Sequence, residues 1–457
     1  MTEENRAPNL LPVALVLAAL LWIFTMMGGR QIFVKEVLGE AYDSQAEHLL
    51  RGDPGVDGEA IRAETMLVNG KPRMYFGPFP AFVRMPLNYI YPNGRGHWSR
   101  LSGFCAGMVA LGAFAGLVRM GLRASSLAPR WRNWVGNAAV VGFAFGSPLL
   151  FLLGNLSIYN EAIIWGLAWS LAALYFCGRS RTAEGADLTR SLLGFSVCAG
   201  GALLSRVTFG APFLLIAPLL ALPLFRKRSI RQLAALLLPL GAALLFHLSL
   251  SYAKFGNFRG VSYEHYIGSV HREFAQKHGI FNLERVTRTF ADYFVFRRPI
   301  LQKTAPFLRA VRHYHNDTSF YSIPFSEAFV SLLWSSSWIL LGASLGVVLL
   351  LRPGGADWLD RGIAAVLFAQ VIGILSFHAL AQRYIAEVYP FLIFAFLIFL
   401  RTGRSAFHVR YLVIGLVAVS MVINSLATIS WLVDTDMNVR PETRALWNVF
   451  LGRASSP

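Results

Sequence analysis

Residues 191–225 read SLLGFSVCAGGALLSRVTFGAPFLLIAPLLALPLF, and Arg206 is the single charge in the run. About 20 apolar residues in a helix cross a bilayer core. The run is too long for one span and too apolar for a soluble surface. Splitting it at Arg206 gives two spans, 191–207 and 208–225, joined by a tight turn that carries the cation. That split sets which side of the membrane every later loop occupies.

The whole chain agrees. Of 457 residues, 55% are hydrophobic and 15% charged, with mean hydropathy +0.49. A soluble domain carries about 25% charged residues. Further apolar runs lie at 10–28, 101–118, 134–154, 159–176, 232–250, 328–351, 362–380, 384–400 and 411–431. Together they predict an all-α polytopic membrane protein with about 11 transmembrane helices, one transmembrane domain over 1–457. No cleavage site follows the first run, which reads as a retained span. The net charge of +17 falls largely in short loops between apolar runs. No basic soluble module with interleaved aromatics is present, which excludes nucleic acid as a partner. Cys105, Cys177 and Cys198 sit inside apolar runs, with neither disulfide nor metal spacing.

The basic loops give the orientation. With the N-terminus cytoplasmic, loops 119–133, 177–190, 226–231, 352–361 and 401–410 face the cytoplasm, and each contains arginine. The chain is then a multi-pass protein of the cytoplasmic membrane. Two long segments, 29–100 and 251–327, and the tail 432–457 lie outside. The short outer connections hold only Arg206 and Arg383. Such cations either snorkel to headgroups or mark function.

Polar chemistry collects on that outer face. Glu36, Glu40, Asp43 and Glu47 recur at steps of four, three and four, which predicts a surface helix over 36–50 with a wet carboxylate face. Glu36 and Glu40 read as solvated. Asn69-Gly70 predicts a tight hairpin, an edge ribbon at best because of Pro72. Residues 75–86 read as a second amphipathic surface segment. Glu161 lies in the first turn of its span, where the helix dipole favours an anion. Arg383 and Glu387, four apart, are placed to pair. The loop 251–327 is basic, with Lys254, Arg259 and several histidines. His313 and His315 have poor spacing for metal ligands, and the sequon at Asn316–Thr318 carries no weight. Arginines near carboxylates at the membrane boundary suit a reaction of a lipid-anchored phosphate compound, because arginine holds phosphate bidentately and a carboxylate can take a hydroxyl proton.

Three stretches carry a family likeness: Tyr42-Asp43-Ser44 with Ala46–Gly52, leading into Asn69-Gly70-Lys71 and Tyr75–Pro80; Tyr159–Gly166; and Gln382-Arg383-Tyr384 with Pro390. They resemble the GT-C superfamily of membrane glycosyltransferases, which use polyprenyl-phosphate-linked sugars. The resemblance implies a GT-C-like fold and transfer of a sugar from such a donor to a hydroxyl on a glycan, lipid or protein. It implies Asp43 as the catalytic carboxylate. Many members have a second acidic residue beside it; here Ser44 follows, so a second carboxylate would come from Glu47 or elsewhere. No metal ligand is assigned, and a divalent ion (Mg or Mn) is left open. Arg206, Arg383 and Tyr384, with Lys254 or Arg259, would hold the donor phosphate. Glu161 and Tyr159 would bind sugar or orient an arginine. The main alternative, a transporter or flippase of lipid-linked sugar, calls for internal repeats and ionisable groups at the midplane. On this reading, Asp43→Asn abolishes sugar transfer in a donor-turnover assay while folding and lipid-donor binding persist.

Overall fold

The computed structural model describes residues 7–258, 260–261, 263–312, 323, 325–402, 407–436 and 438–453. Fourteen helices organise it: α1 (Leu11–Thr25), α2 (Glu40–Leu50), α3 (Phe79–Ile90), α4 (Ser99–Arg123), α5 (Pro129–Phe145), α6 (Pro148–Gly154), α7 (Ile158–Ser180), α8 (Gly185–Ser205), α9 (Val207–Arg226), α10 (Ile230–Phe255), α11 (Ser337–Leu351), α12 (Trp358–Leu375), α13 (Ile385–Thr402) and α14 (Phe407–Ser430). Among the described residues, 9 helical segments are long and apolar enough to cross a membrane, and α1 and α11 are shorter apolar helices. The chain is a helical, multi-pass membrane protein.

The opening run divides where the cation sits. Arg206 is extended (φ −160°, ψ 125°), ending α8 and starting α9. The two helices fold back tightly because Gly210 has no side chain: a Cβ there would lie 2.2 Å from Leu203 Cα. Other spans break where the sequence removes a backbone donor or offers a hydroxyl substitute. The predicted span 134–154 is interrupted at Gly146-Ser147-Pro148. Proline cannot donate; Ser147 Oγ caps Leu149 N–H at 3.1 Å, and the Gly146 carbonyl accepts from Trp338 Nε1 at 2.9 Å. The run 328–351 gives one helical turn, Leu332–Ser335, and its long helix starts only at Ser337, because Ser336 (φ −148°, ψ 37°) breaks the helix and its hydroxyl accepts from Tyr389 at 2.7 Å. Stacked Phe114 and Phe143, 4.4 Å apart, and Trp338 lie in the interior.

The first long loop departs from its periodicity. Leu38 has φ +59°, so the helix starts at Glu40. Ala41 to Ala46 are all buried under α3 and against α7, so α2 is not a surface helix with a wet carboxylate face. Glu36 is not solvated: it is buried and accepts from Arg100 Nε at 2.6 Å. Glu40 does face solvent beside Lys35, and Glu47 lies on the outer face against Arg95 at 2.8 Å. The hairpin forms as expected, β1 (Met66–Val68) against β2 (Lys71–Arg73), with Asn69 and Gly70 at φ +52° and +72°. It is a two-stranded ribbon, with Pro72 on its outer strand.

Past the last span, Asp436 is buried, receiving Asn155 Nδ2 and, at 2.8 Å, the Asn438 N–H. Burial, with Glu327 nearby, pushes its pKa up to about 6 from 3.8. The folded chain therefore holds this proton more tightly than the unfolded one. The contribution is full below about pH 4 and is lost as pH rises through about 6. Melting in detergent should fall between pH 4 and 7 for the natural chain by more than for Asp436→Asn.

Candidate active site

Two polar layers meet at the end of the bundle where α4, α7 and α13 begin and α8 turns into α9. The first is sealed. Arg84 on α3 is completely buried, with Nη2 donating to both Glu161 oxygens at 2.6 Å and to Ser99 Oγ at 3.2 Å. Asp43 Oδ2 lies 3.7 Å from Arg84 Nε, and Asn88 Nδ2 donates to Oδ1 at 2.9 Å. Trp98 Nε1 in turn fixes Asn88 at 2.8 Å. Tyr42 donates to the Ile158 carbonyl at 3.0 Å, tying α2 to α7. Asp43 is 0% exposed, and burial raises its pKa against the opposing pull of Arg84 and Asn88.

The second layer is partly exposed. Glu64, half-buried in the first long loop, accepts from the phenols of Tyr75 and Tyr159, each at 2.7 Å. Arg62 at φ +50° turns the chain just ahead of it. Burial and the Glu64 charge hold the Tyr75 phenol well above its ordinary pKa, so it remains a neutral donor. The Arg383 guanidinium lies 4.7 Å over the Tyr159 ring and 5.1 Å over the Tyr384 ring; Arg206 lies 5.5 Å over Tyr384 from α9's start. Two cations thus share one aromatic ring, which costs repulsion unless each is balanced.

The balance differs from the predicted one. Arg383 does not pair with Glu387. Its Nη1 donates to both oxygens of Glu327 at 2.7 Å, while Arg206 Nε sits 2.8 Å from Glu387 Oε1. The latter pair is close but misaligned: among the described residues neither Arg206 Nε nor either Glu387 oxygen completes a hydrogen bond. Arg206 keeps donors for an incoming anion.

The structure brings Tyr159, Arg206, Arg383 and Tyr384 into this cleft. Glu161 and Asp43 lie in the sealed layer behind it, and Glu161 orients an arginine, Arg84. Lys254 Nζ is buried and donates to the Met74 carbonyl at 2.8 Å, beside Tyr75. Glu47 belongs to the outer surface. Arg259, His313, His315 and the sequon fall outside the described residues. Sequence reasoning passed over Arg84, Glu64 and Glu327. Arg84 had a signal, as the lone charge in an aromatic helix; Glu64 and Glu327 had none, since tertiary contacts alone single them out. Among the described residues, no three or more His, Cys, Asp or Glu side chains converge as a metal site.

No family model matches the chain, and no curated protein matches it. Among the solved structures the chain resembles are two of ArnT from Cupriavidus metallidurans. With the form bound to undecaprenyl phosphate, identity is 12% and the TM-score 0.47; with the apo form they are 14% and 0.45. Each alignment covers 87% of this chain, which spans about 60% of the length of those chains. Both alignments are broad and loose.

Removing one member of a buried ion pair costs about 3–5 kcal/mol, because the other charge is stranded. Arg84→Met should therefore lower the melting temperature strongly, and Arg84→Met with Glu161→Gln should recover part of the loss, a coupling that melts of the two singles and the double would read.

Proposed function

We propose that the chain is a glycosyltransferase that moves a sugar from a polyprenyl-phosphate-linked donor to a hydroxyl on a glycan, lipid or protein. The observation that carries this reading is the pair Arg206 and Arg383, held across Tyr384 at the boundary of the span bundle in front of the partly exposed carboxylate of Glu64. A membrane-boundary site suits a donor whose lipid tail stays in the bilayer, and guanidiniums suit its phosphate.

In this mechanism the acceptor O–H gives its proton to a carboxylate. The oxygen bonds to the anomeric carbon, and the bond from that carbon to the phosphate oxygen breaks. Polyprenyl phosphate leaves with the electron pair, its charge met by Arg206 and Arg383. A general base must come within hydrogen-bond reach of the proton it takes. Glu64, partly exposed at the cleft with its rotamer fixed by Tyr75 and Tyr159, is the carboxylate this reading places for that role. Asp43, the residue the family resemblance implies, is enclosed by Asn88 and Arg84. We assign it the positioning of Arg84 and, through Glu161, of the start of α7. Lys254 holds the β2 end of the loop against the cleft.

The loops at the opposite end of the bundle carry the arginine-rich turns, Arg226-Lys227-Arg228 among them. The positive-inside asymmetry supports a cytoplasmic N-terminus and a cleft on the extracytoplasmic face of the inner membrane. Transport of the lipid-linked sugar draws less support, because the ion pairs Arg84–Glu161, Arg206–Glu387, Arg181–Asp360 and Arg401–Asp360 lie at the two ends of the bundle and not midway along the spans, where a transporter site would need them.

The assay is sugar transfer from a polyprenyl-phosphate donor, with donor binding and melting measured on the same preparations. Glu64→Gln should lower transfer by roughly 10²–10⁴-fold with donor binding kept. Arg206→Ala and Arg383→Ala should each lower it by about 10²–10³-fold and weaken donor binding. Loss of transfer in a well-folded Asp43→Asn, with Glu64→Gln active, would return the base to Asp43. No donor binding by the natural chain would overturn the glycosyltransferase reading.

A further inference from the structure

A cavity of about 730 Å³ opens at the other end of the bundle, between the C-terminal ends of α4, α7 and α13 and the N-terminal half of α12. That is within the usual size of a ligand pocket. Its floor is apolar and buried: Leu117, Leu174, Phe394, Leu397 and Ile398 all line it. Its mouth is cationic, with Arg123, Arg181 and Arg401.

The cations are set by design of the fold. Asp360 on α12, 1% exposed, receives Arg181 and, at 3.0 Å, Arg401; Arg181 also binds Asp357. Asp357 caps α12, accepting from the Asp360 N–H at 2.8 Å. Three guanidiniums therefore face two carboxylates. Arg123, at the last turn of α4, is exposed and makes no ion pair among the described residues. Thr182 adds a hydroxyl to the rim. An apolar chamber under an excess of guanidinium matches an amphiphile with an anionic head, since arginine binds phosphate in the fork geometry it uses for carboxylate.

We propose that this cavity holds an anionic phospholipid of the leaflet opposite the candidate active site, its phosphate at Arg123 and Arg401 and part of one acyl chain on the Leu117–Phe394 floor. The membrane supplies such a lipid at high local concentration, and basic recesses between spans on the basic-loop side are where it would lodge. The site does not touch the Glu64 cleft, and the proposal does not depend on sugar transfer.

The full chain, purified in detergent and stripped of lipid, is titrated with phosphatidylglycerol, with phosphatidylcholine of the same acyl chains, with inorganic phosphate, and with polyprenyl phosphate. Retention is read by native mass spectrometry and stabilisation by melting. Phosphatidylglycerol should be retained roughly tenfold better than phosphatidylcholine. Arg123→Gln, at an exposed position, should weaken it about fivefold. Ala124→Trp, also at the exposed rim, should block it without changing the melt of the lipid-free chain. Equal retention of both phospholipids, or retention untouched by both variants, would overturn the proposal. So would the same Arg123-dependent protection from inorganic phosphate alone, or preference for polyprenyl phosphate at this site.

Discussion

The Arg84–Glu161 ion pair holds the first long loop to the span bundle. A charge moved from water into hydrocarbon surroundings costs several kcal/mol unless it is both paired and hydrogen-bonded. Neither group reaches water here: Arg84 and Glu161 are each 0% exposed. The pair therefore has one acceptable geometry, with α3 laid across the start of α7 and Ser99 at the start of α4 closing the ring of donors and acceptors. Asp43 and Asn88 are fixed in turn, and α2 follows Asp43. Two helices of the first long loop, α2 and α3, are thus tied to the bundle through one guanidinium.

With that loop fixed, Glu64 and Tyr75 are delivered to Tyr159, and the cleft acquires its carboxylate. The cations reach it from the other side, through backbone breaks. Arg206 lies where α8 stops, and Arg383 lies in the short turn Gln382–Tyr384 ahead of α13. Each break exposes polar backbone at membrane depth, which is tolerated only where protein or a polar cavity surrounds it. Positioning these guanidiniums and ending a helix are thus the same act in this chain. The partner carboxylates explain why two guanidiniums can share Tyr384. Glu327 is well aligned with Arg383 and Glu387 poorly aligned with Arg206, so on the proposed function Arg206 is the readier of the two to exchange its partner for the donor phosphate.

The spans were legible in the sequence because hydrocarbon imposes length and composition on them residue by residue. The division at Arg206, the hairpin at Asn69-Gly70, and the approach of Tyr159, Arg206, Arg383 and Tyr384 followed from that rule, turn chemistry and loop charge. What was not legible is pairing across the fold. Periodicity put Glu36, Asp43 and Glu47 on one wet helical face, yet Leu38 at φ +59° starts the helix late, and Arg100 and Arg84 draw Glu36 and Asp43 inward. Local spacing offered Glu387 to Arg383 as its neighbour, but the turn before α13 points Arg383 toward Glu327, distant in sequence. Glu64 lies in a stretch with no periodic signal at all, and only three-dimensional convergence of phenols distinguishes it from Glu59 nearby.

The two ends of the bundle use arginine differently, and the difference follows from burial. At the cleft end, Arg84, Arg206 and Arg383 have side chains 0%, 23% and 11% exposed, so each must carry a carboxylate partner, and any substrate anion must compete with that partner. At the opposite end, Arg401, 41% exposed, shares Asp360 with Arg181, and Arg123 is open to solvent with no ion pair among the described residues, so the rim keeps an excess of positive charge. Selectivity is therefore asymmetric. On the proposed readings, the cleft would admit only an anion that fits well enough to displace a built-in carboxylate, whereas the far rim would take an anionic headgroup by charge and leave the apolar chamber beneath it to choose the tail.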